Sequence, residues 1–383
     1  MNQLENRNAY MGLAGRMSKK RRRNVTLTIV FLMLLGAFIY CASKGFVLGT
    51  YEIRILRLCG VYSIAALSMN LVNGFTGQFS LGQAGFMAMG AYVTSLLIIP
   101  AAQKAAIYYV HPIVPWLKDV QIPFLFALLI GGLVSALCAF LIGFPVLRLR
   151  GDYLAIATLG FSEIIRIILT NAIPVTNGSL GLKNIPNTAN LWWTTIVTAV
   201  VIIFLLRMMK TSYGRAFKAI RDDDIAAEAM GISLFKHKMI AFVIGGFLAG
   251  ISGGLLGSVV GAITPNYFRF TLAYEILLIV VLGGMGSITG SVIGACIVTI
   301  AKEKLRFLDA GMNLGFVKIP PIDGMRMLVF SLLLMIIILF YRRGLFGSRE
   351  FSWNGLFRII RRIGAWFGRL FRRRGHPEGG ADA

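Results

Sequence analysis

The part of this chain best suited to work outside lipid is the motif GRAFKAIRDDDIAAEAMGI, which runs from Gly214 to Ile232 between two long apolar segments. The carboxylates of Asp222, Asp223 and Asp224 suit the N-terminus of a short helix, where backbone N–H groups favour negative charge. Gly231 suits the position just past its end. So short a helix needs tertiary contacts or a partner's groove, so the motif predicts a docking helix. The alternative is an ordinary polar connector between membrane helices.

Glycine-rich interruptions in two apolar stretches are the second feature that could have a function. One lies within NGFTGQFSLGQAGFMAMGAY, Asn73 to Tyr92, and the other is marked by Gly283, Gly284, Gly286 and Gly290. Paired interruptions of this kind are typical of duplicated transporter cores, in which broken helices expose backbone groups to a solute. Tight helix packing without solute contact is the alternative. Uncharged groups in the two clusters suit a small polar or zwitterionic solute, and the predicted solute-pathway residues are Gln78, Ser80, Gln83, Ser287 and Thr289.

Two carboxylates stand inside apolar segments, at Glu163 and Glu275. Ionisable groups within a membrane are expensive and mark functional positions, so both are candidates for contacting solute or coupling a conformational change. Other interpretations stay open. Glu163 has Arg166 one helical turn away as a partner, and Glu275 lies near a segment end from which it could reach the interface.

The composition requires a bilayer as solvent, because 57% of the 383 residues are hydrophobic and only 14% are charged. The formal charge of +23 does not indicate nucleic-acid binding. The basic residues lie in the tails and between apolar runs, as the positive-inside rule expects of cytoplasmic loops. The four cysteines and three histidines are scattered singly and predict neither a metal site nor a catalytic triad. No phosphate-binding GxxxxGK[ST] loop occurs, so an ATP-driven function needs its ATPase on another chain.

The hydropathy pattern predicts an all-α integral membrane protein with about 8–10 transmembrane helices, Gly-broken segments and an internal duplication. The predicted segments are Val25–Ser43, Ile55–Val72, Phe79–Ile99, Ile122–Leu147, Tyr153–Leu169, Leu191–Met209, Met239–Ala262, Tyr274–Ile300 and Met325–Tyr341. Both termini and the 207–238 loop carry the basic cytoplasmic signature. Nine simple crossings would leave the C-terminus outside. One late segment, best Tyr274–Ile300, is therefore expected to be re-entrant, broken or a double pass.

Three regions follow from this pattern: a basic cytoplasmic arm over 1–24, a transmembrane domain over 25–345 that contains the cytoplasmic 207–238 loop, and a tail over 346–383. In the tail, apolar residues recur at helical spacing with arginines between them. That pattern is typical of an amphipathic helix on an anionic inner leaflet, so anionic lipids are an expected partner.

Four stretches in this order resemble the permease subunits of ABC importers for branched-chain amino acids, and within that family the LivM-type branch. They are NLVNGFTGQFSLGQAGFMAMGAY, RLRGDYLAIATLGFSEIIRI, the GRAFKAIRDDDIAAEAMGI loop and EILLIVVLGGMGSITGSVIGA. The resemblance covers approximately Leu58 to Leu345.

The resemblance implies a non-catalytic membrane subunit that needs no cofactor. Its implied partners are a second homologous permease subunit, two cytoplasmic ABC ATPase subunits and an extracytoplasmic solute-binding protein. It also implies that Asp222 to Gly231 form a coupling helix seated in the ATPase surface, similar to the EAA loop of importers but shorter and variant here. The residues it assigns to this coupling are Asp222, Asp223, Asp224, Ala226, Ala227, Glu228, Ala229 and Gly231. The implied mechanism is alternating access at the cell membrane.

Three other functions stay open at this point. Urea and amide importers use permeases with similar glycine-rich motifs, and the pathway residues do not separate leucine from urea. A self-sufficient channel or secondary carrier would leave the Gly214–Ile232 motif without a purpose. An integral-membrane enzyme is disfavoured, because no cluster of His, Asp or Glu marks a membrane face.

Overall fold

The apolar runs of the sequence fold as helices in the computed structural model. It describes residues 36, 39–41, 49–109, 111–149, 151–308, 312–313, 318–319, 325–340, 344–345, 347 and 350. The elements below belong to the unit Gly45–Arg349. The predicted arm and most of the predicted tail and of Val25–Ser43 lie outside the described residues.

The fold is helical, which confirms the predicted class. The helices are α1 (Thr50–Met69), α2 (Gln83–Ile98), α3 (Ala101–Ile107), α4 (Pro115–Lys118), α5 (Phe124–Val146), α6 (Asp152–Asn171), α7 (Ile173–Thr176), α8 (Leu191–Met208), α9 (Ser212–Asp222), α10 (Asp224–Ala229), α11 (Leu234–Val260), α12 (Phe270–Gly283), α13 (Ile288–Lys304) and α14 (Met325–Phe340). A π-helical turn, Asn70–Phe75, continues α1, and 3₁₀ turns occupy Gly178–Leu180, Pro265–Phe268 and Leu305–Leu308. Strands β1 (Met312–Asn313) and β2 (Lys318–Ile319) pair antiparallel, with Met312 opposite Ile319.

Length and apolarity identify the helices that could cross a membrane. Five described helices qualify: α1 with its π-helical turn, α5, α6, α8 and α11. A sixth is obtained if α2 and α3, which meet at a bend of 120°, are one span. The shorter α12 is also apolar, and α14 closely matches the predicted Met325–Tyr341 segment.

Burial separates the central helices from the outer ones. In the most apolar windows of α1 and α11, 83% and 78% of residues are buried, whereas the values are 39%, 33% and 28% for α5, α6 and α8. Backbone proximity explains the central packing, because a Cβ on Gly90 of α2 would lie 2.1 Å from the carbonyl oxygen of Gly250 in α11. The outer helices present large apolar side chains outward, including Leu133 of α5 and Ile156 of α6. Lipid or another membrane subunit would cover such surfaces.

The Tyr274–Ile300 segment is two helices, not one. Gly284 at φ 108° and Gly286 at φ 82° turn the chain, and α13 returns against α12 with Gly283 and Gly290 in backbone contact. The turn lies beside α9, at the end of the bundle that we call the loop face. The segment is thus interrupted at its glycines, as expected, and forms a helical hairpin.

The structure shifts several predicted boundaries: α1 begins at Thr50 rather than Ile55, α11 begins at Leu234 rather than Met239, and two further changes lie at the first break. The segment expected over Phe79–Ile99 becomes helical only at Gln83, because Gly77 at φ 69° and the extended residues after it separate α2 from the end of α1. The segment expected to end at Val72 continues as the π-helical turn to Phe75.

Candidate functional site

The Gly214–Ile232 motif forms two helices rather than the single helix expected. Helix α9 is amphipathic and buries Phe217 and Ile220 against the bundle. The chain then extends at Asp223, whose φ is −160°, and its carboxylate accepts a hydrogen bond of 3.0 Å from the backbone N–H of Ala226. Asp223 is therefore the N-cap of α10. Asp222 instead ends α9 and pairs with Arg221 at 2.8 Å, which corrects its expected place at the start of the docking helix.

The far end of α10 has the expected glycine. Gly231 adopts φ 82° and donates to the carbonyl of Glu228, while the N–H of Ile232 bonds to Ala227. Around this short helix, Ile225 and Met230 are 73% and 82% exposed, and Glu228 is also exposed. Ala227 is buried, so it faces the protein, whereas Ala226 and Ala229 are exposed. The helix therefore presents apolar side chains and a carboxylate on an exposed surface that suits a binding partner.

Arg221 connects this motif to both glycine breaks. Its Nη1 lies 3.4 Å from the carbonyl oxygen of Gly74, in the π-helical turn. A Cβ on Gly286, in the hairpin turn, would lie 2.9 Å from the same Nη1. A Cβ on Gly77 would lie 3.2 Å from the Cα of Arg221. Arg221 therefore places the end of α9 directly against both breaks.

The two breaks are also joined to each other, through Asn70. Its Nδ2 donates to the carbonyl of Ser287 at 2.9 Å and to the hydroxyl of Ser291 at 2.8 Å. Its Oδ1 accepts from the backbone N–H of Gly286 at 2.8 Å. The side chain is fully buried, and a Cβ on Gly74 would clash with its Oδ1. Asn70 satisfies backbone groups that the hairpin turn leaves open.

The predicted pathway glutamines lie close to these breaks, each with one polar atom free. Gln78 donates through Nε2 to the Thr76 hydroxyl at 2.9 Å and to the Lys238 carbonyl at 3.2 Å. Gln83 accepts from the Ser68 hydroxyl at 2.9 Å. Within the described residues, Gln78 Oε1 and Gln83 Nε2 are buried and have no partner. Both glutamines keep a group that could meet a solute or water.

The predicted hydroxyl residues serve the backbone. Ser80 exchanges hydrogen bonds with Asn73, and its own hydroxyl accepts from the N–H of Gly82 at 3.4 Å. Ser287 is the N-cap of α13, accepting from Gly290 at 3.0 Å, and its hydroxyl lies 3.3 Å from that of Thr289. These contacts explain why the polar residues occur at helix breaks, and a solute role for them stays a prediction.

Both intramembrane carboxylates have basic partners. Glu163 pairs with Arg166 at 2.6 Å, and its other oxygen accepts from the N–H of Phe270 at the start of α12. Both oxygens of Glu275 lie 2.7 Å from Lys302 Nζ, across the α12–α13 hairpin. Sequence spacing indicates the first pair, whereas the second depends on the hairpin fold.

Sequence reasoning missed Arg221, Asn70 and one pair of cysteines. The Cys59 thiol of α1 and the Cys296 thiol of α13 lie near each other where the two helices pack, although 237 positions separate them in the sequence. Across the described residues, no group of three or more His, Cys, Asp or Glu side chains is placed to hold a metal ion.

Comparison with known proteins identifies the family. Residues 51–340 match the model of the branched-chain amino acid transport system / permease component family, which is most of the chain and includes both breaks and α9–α10. This chain belongs to that permease family.

The relatives of this permease carry related names. It is 34% identical over 312 residues to the high-affinity branched-chain amino acid transport system permease protein LivM of Escherichia coli K12, covering 73% of this chain and 68% of that protein. The LivM protein of Salmonella typhimurium LT2 is 33% identical over 309 residues, covering 72% and 68%. The E. coli LivH permease is 27% identical over 266 residues, covering 64% and 82%. No solved structure matches the permease.

Proposed function

We propose that this permease is the membrane subunit of an ATP-driven importer of branched-chain amino acids, with its ATPase on other chains. The coupling part of this proposal is supported by the contacts of Arg221, at the end of α9, with both helix breaks. The neighbouring helix, α10, exposes side chains that a partner could contact. The cargo is supported by the names of the LivM and LivH relatives.

The mechanism we propose is alternating access. ATP binding brings two partner ATPases together, α10 moves with the ATPase surface, and α9 carries the displacement to the breaks at Gly74 and Gly286. A change in the conformation of the two broken helices then changes the side of the membrane to which the solute path opens. The loop face is cytoplasmic in this proposal, because the 207–238 loop and both tails are basic.

The proposed assembly contains a second permease subunit, two ATPases and an extracytoplasmic solute-binding protein. The relatives include both LivM and LivH permeases of E. coli, which supports a heterodimer of related subunits. The basic tail, most of which lies outside the described residues, is proposed to contact anionic lipid.

Replacement of α10 residues tests the coupling. We expect Glu228→Ala and Gly231→Ala to reduce both solute-stimulated ATP hydrolysis and uptake. A Cβ on Gly231 meets no atom within 4 Å, so its effect would arise from backbone strain at φ 82° and not from a clash. Lys183→Ala, at an exposed site elsewhere, is the control. Unchanged hydrolysis and uptake in a correctly assembled complex would refute the role of α10.

A further inference from the structure

A polar cavity of about 310 Å³ lies between α1, α12 and α13, away from the loop face. Leu58 lines it, and the α1 backbone from there to Asn70 spans about 18 Å. The cavity, which we call the α1–α13 cavity, is therefore distinct from the broken-helix site. Its volume is within the range of small-molecule sites.

The charges around the α1–α13 cavity are of both signs. Arg54 and Lys302 are basic, and Glu275 and Glu303 are acidic. Lys302 is committed to Glu275 at 2.7 Å, and Glu303 accepts from the Tyr51 hydroxyl at 3.3 Å. The Arg54 guanidinium is exposed and forms no ion pair in the part of the chain that the structure describes. A free guanidinium beside carboxylates suits a ligand that carries both charges.

Thr299 gives independent evidence for a ligand. Its residue is 4% exposed, and its Oγ1 is buried without a hydrogen-bond partner within the described chain. Helical threonines elsewhere in the protein bond back to the preceding turn, as Thr198 does to the Thr194 carbonyl at 2.7 Å. An unsatisfied buried hydroxyl is costly. Its place in the cavity wall is explained if a ligand atom completes its hydrogen bond.

The rest of the wall is mixed. Leu58, Leu272 and Val260 supply an aliphatic part, and Tyr62, Tyr267 and Thr271 add hydroxyl groups. The aliphatic part of the wall suits a short aliphatic group.

We propose that the α1–α13 cavity binds an aliphatic α-amino acid as a zwitterion. Arg54 receives the carboxylate, Glu275 and Glu303 face the ammonium, the Thr299 hydroxyl bonds to the head group, and the aliphatic wall takes the side chain. The cavity thus holds the solute at the end of the bundle opposite α9. The identity of the amino acid rests on the proposed function, whereas the need for both charges rests on the cavity alone.

Direct binding to the purified permease complex in nanodiscs, without solute-binding protein or nucleotide, tests the site. We expect labelled leucine to bind, and both leucinol, which lacks the carboxylate, and 4-methylpentanoate, which lacks the amine, to compete at least about tenfold more weakly. Equal competition by either analogue would overturn zwitterion recognition. No leucine binding at millimolar concentration would overturn the site.

Two substitutions separate binding from structural effects. Arg54→Gln is expected to weaken leucine binding at least about tenfold, whereas Arg269→Gln, an exposed arginine outside the cavity lining, is not. Thr299→Val is expected to weaken binding about fivefold while leaving the melting temperature of the ligand-free complex unchanged or higher, because it removes an unsatisfied hydroxyl. Thr195→Val, whose hydroxyl bonds to the Leu191 carbonyl, is the matched control.

Failure of this site is distinguishable from failure of the proposed function. If the complete wild-type transporter imports leucine but the Arg54 and Thr299 variants bind it as the wild type does, the function stands and the site is wrong. If the wild-type transporter imports no leucine, the proposed cargo is wrong.

Discussion

Arg221 Nη1 lies 3.4 Å from the carbonyl oxygen of Gly74, so a residue of the soluble motif contacts a broken membrane helix directly. The same guanidinium holds Asp222 at 2.8 Å, which fixes its orientation at the end of α9. The donor of this long hydrogen bond is a charged guanidinium, and its acceptor is a backbone carbonyl of the break. The end of α9 and the broken helix are thus in direct contact.

Arg221→Gln is expected to uncouple the transporter. The shorter neutral side chain cannot reach both Gly74 and Asp222, so ATP hydrolysis should lose most of its stimulation by solute while the complex still assembles. The loss of a charge-assisted hydrogen bond costs about 1.5–3 kcal/mol. The loss of stimulation is measured as the rate of ATP hydrolysis with and without solute in proteoliposomes, with Arg269→Gln as the control. Wild-type stimulation in the Arg221 variant would show that the contact does not transmit the movement.

Asn70→Asp is expected to destabilise the helical core. The change replaces the Nδ2 donor with a carboxylate oxygen, which then faces the acceptor oxygen of Ser287 in a fully buried site. Each group left unsatisfied costs about 1–3 kcal/mol, and a buried charge costs more. Thermal unfolding of the purified complex should show a clearly lower midpoint.

The matched control is Asn171→Asp, because this exposed amide bonds to a carbonyl, Ile167, at the end of α6. Its unfolding midpoint should stay close to that of the wild type. Equal midpoints for the two variants would contradict the role of Asn70 as the link between the breaks.

Gly90→Ala is expected to lower stability by about 1–3 kcal/mol, because its Cβ would lie 2.1 Å from the Gly250 carbonyl and force α2 from α11. Gly160→Ala on α6 has nothing within 4 Å and should be neutral or stabilising by up to about 1 kcal/mol. Thermal unfolding distinguishes the two. Similar midpoints for both variants would mean that α2 and α11 do not pack backbone to backbone.

Mild oxidation should join Cys59 to Cys296. The two thiols would give two electrons to two equivalents of Cu(II) phenanthroline and two protons to water, forming a disulfide that connects α1 to α13. Mass spectrometry of a Cys41→Ser, Cys138→Ser protein should find a linked peptide lighter by two hydrogen atoms than its separate parts. Recovery of both cysteines as separate alkylated thiols after oxidation would contradict the packing of these helices.

The helices and their approximate ends follow from the sequence because apolar length is read directly from composition. The charge parity also predicts that Tyr274–Ile300 is not a simple crossing, because basic termini and a basic 207–238 loop indicate an even number of crossings. The cap at Gly231 follows from residue type alone. These features depend on the local sequence or on the number of apolar segments, so a single sequence is enough to predict them.

The contacts between distant residues do not follow from the sequence. Cys59 and Cys296 look isolated because their spacing carries no motif, and nothing marks Asn70 until the fold places Gly286 beside it. Likewise, nothing local predicts that the Asp222–Asp224 run divides between two helices, because that break depends on how α9 packs against the bundle. Tertiary packing decides all three.

Uptake of labelled leucine tests the central claim most directly. Cells that lack this permease but keep the other transporter subunits should lose high-affinity leucine uptake and regain it on expression of the wild-type chain, with excess unlabelled isoleucine and valine competing and urea not. Leucine uptake that is unchanged by deletion, in cells without another leucine carrier, or that is blocked by urea instead, would contradict the assignment as a branched-chain amino acid permease.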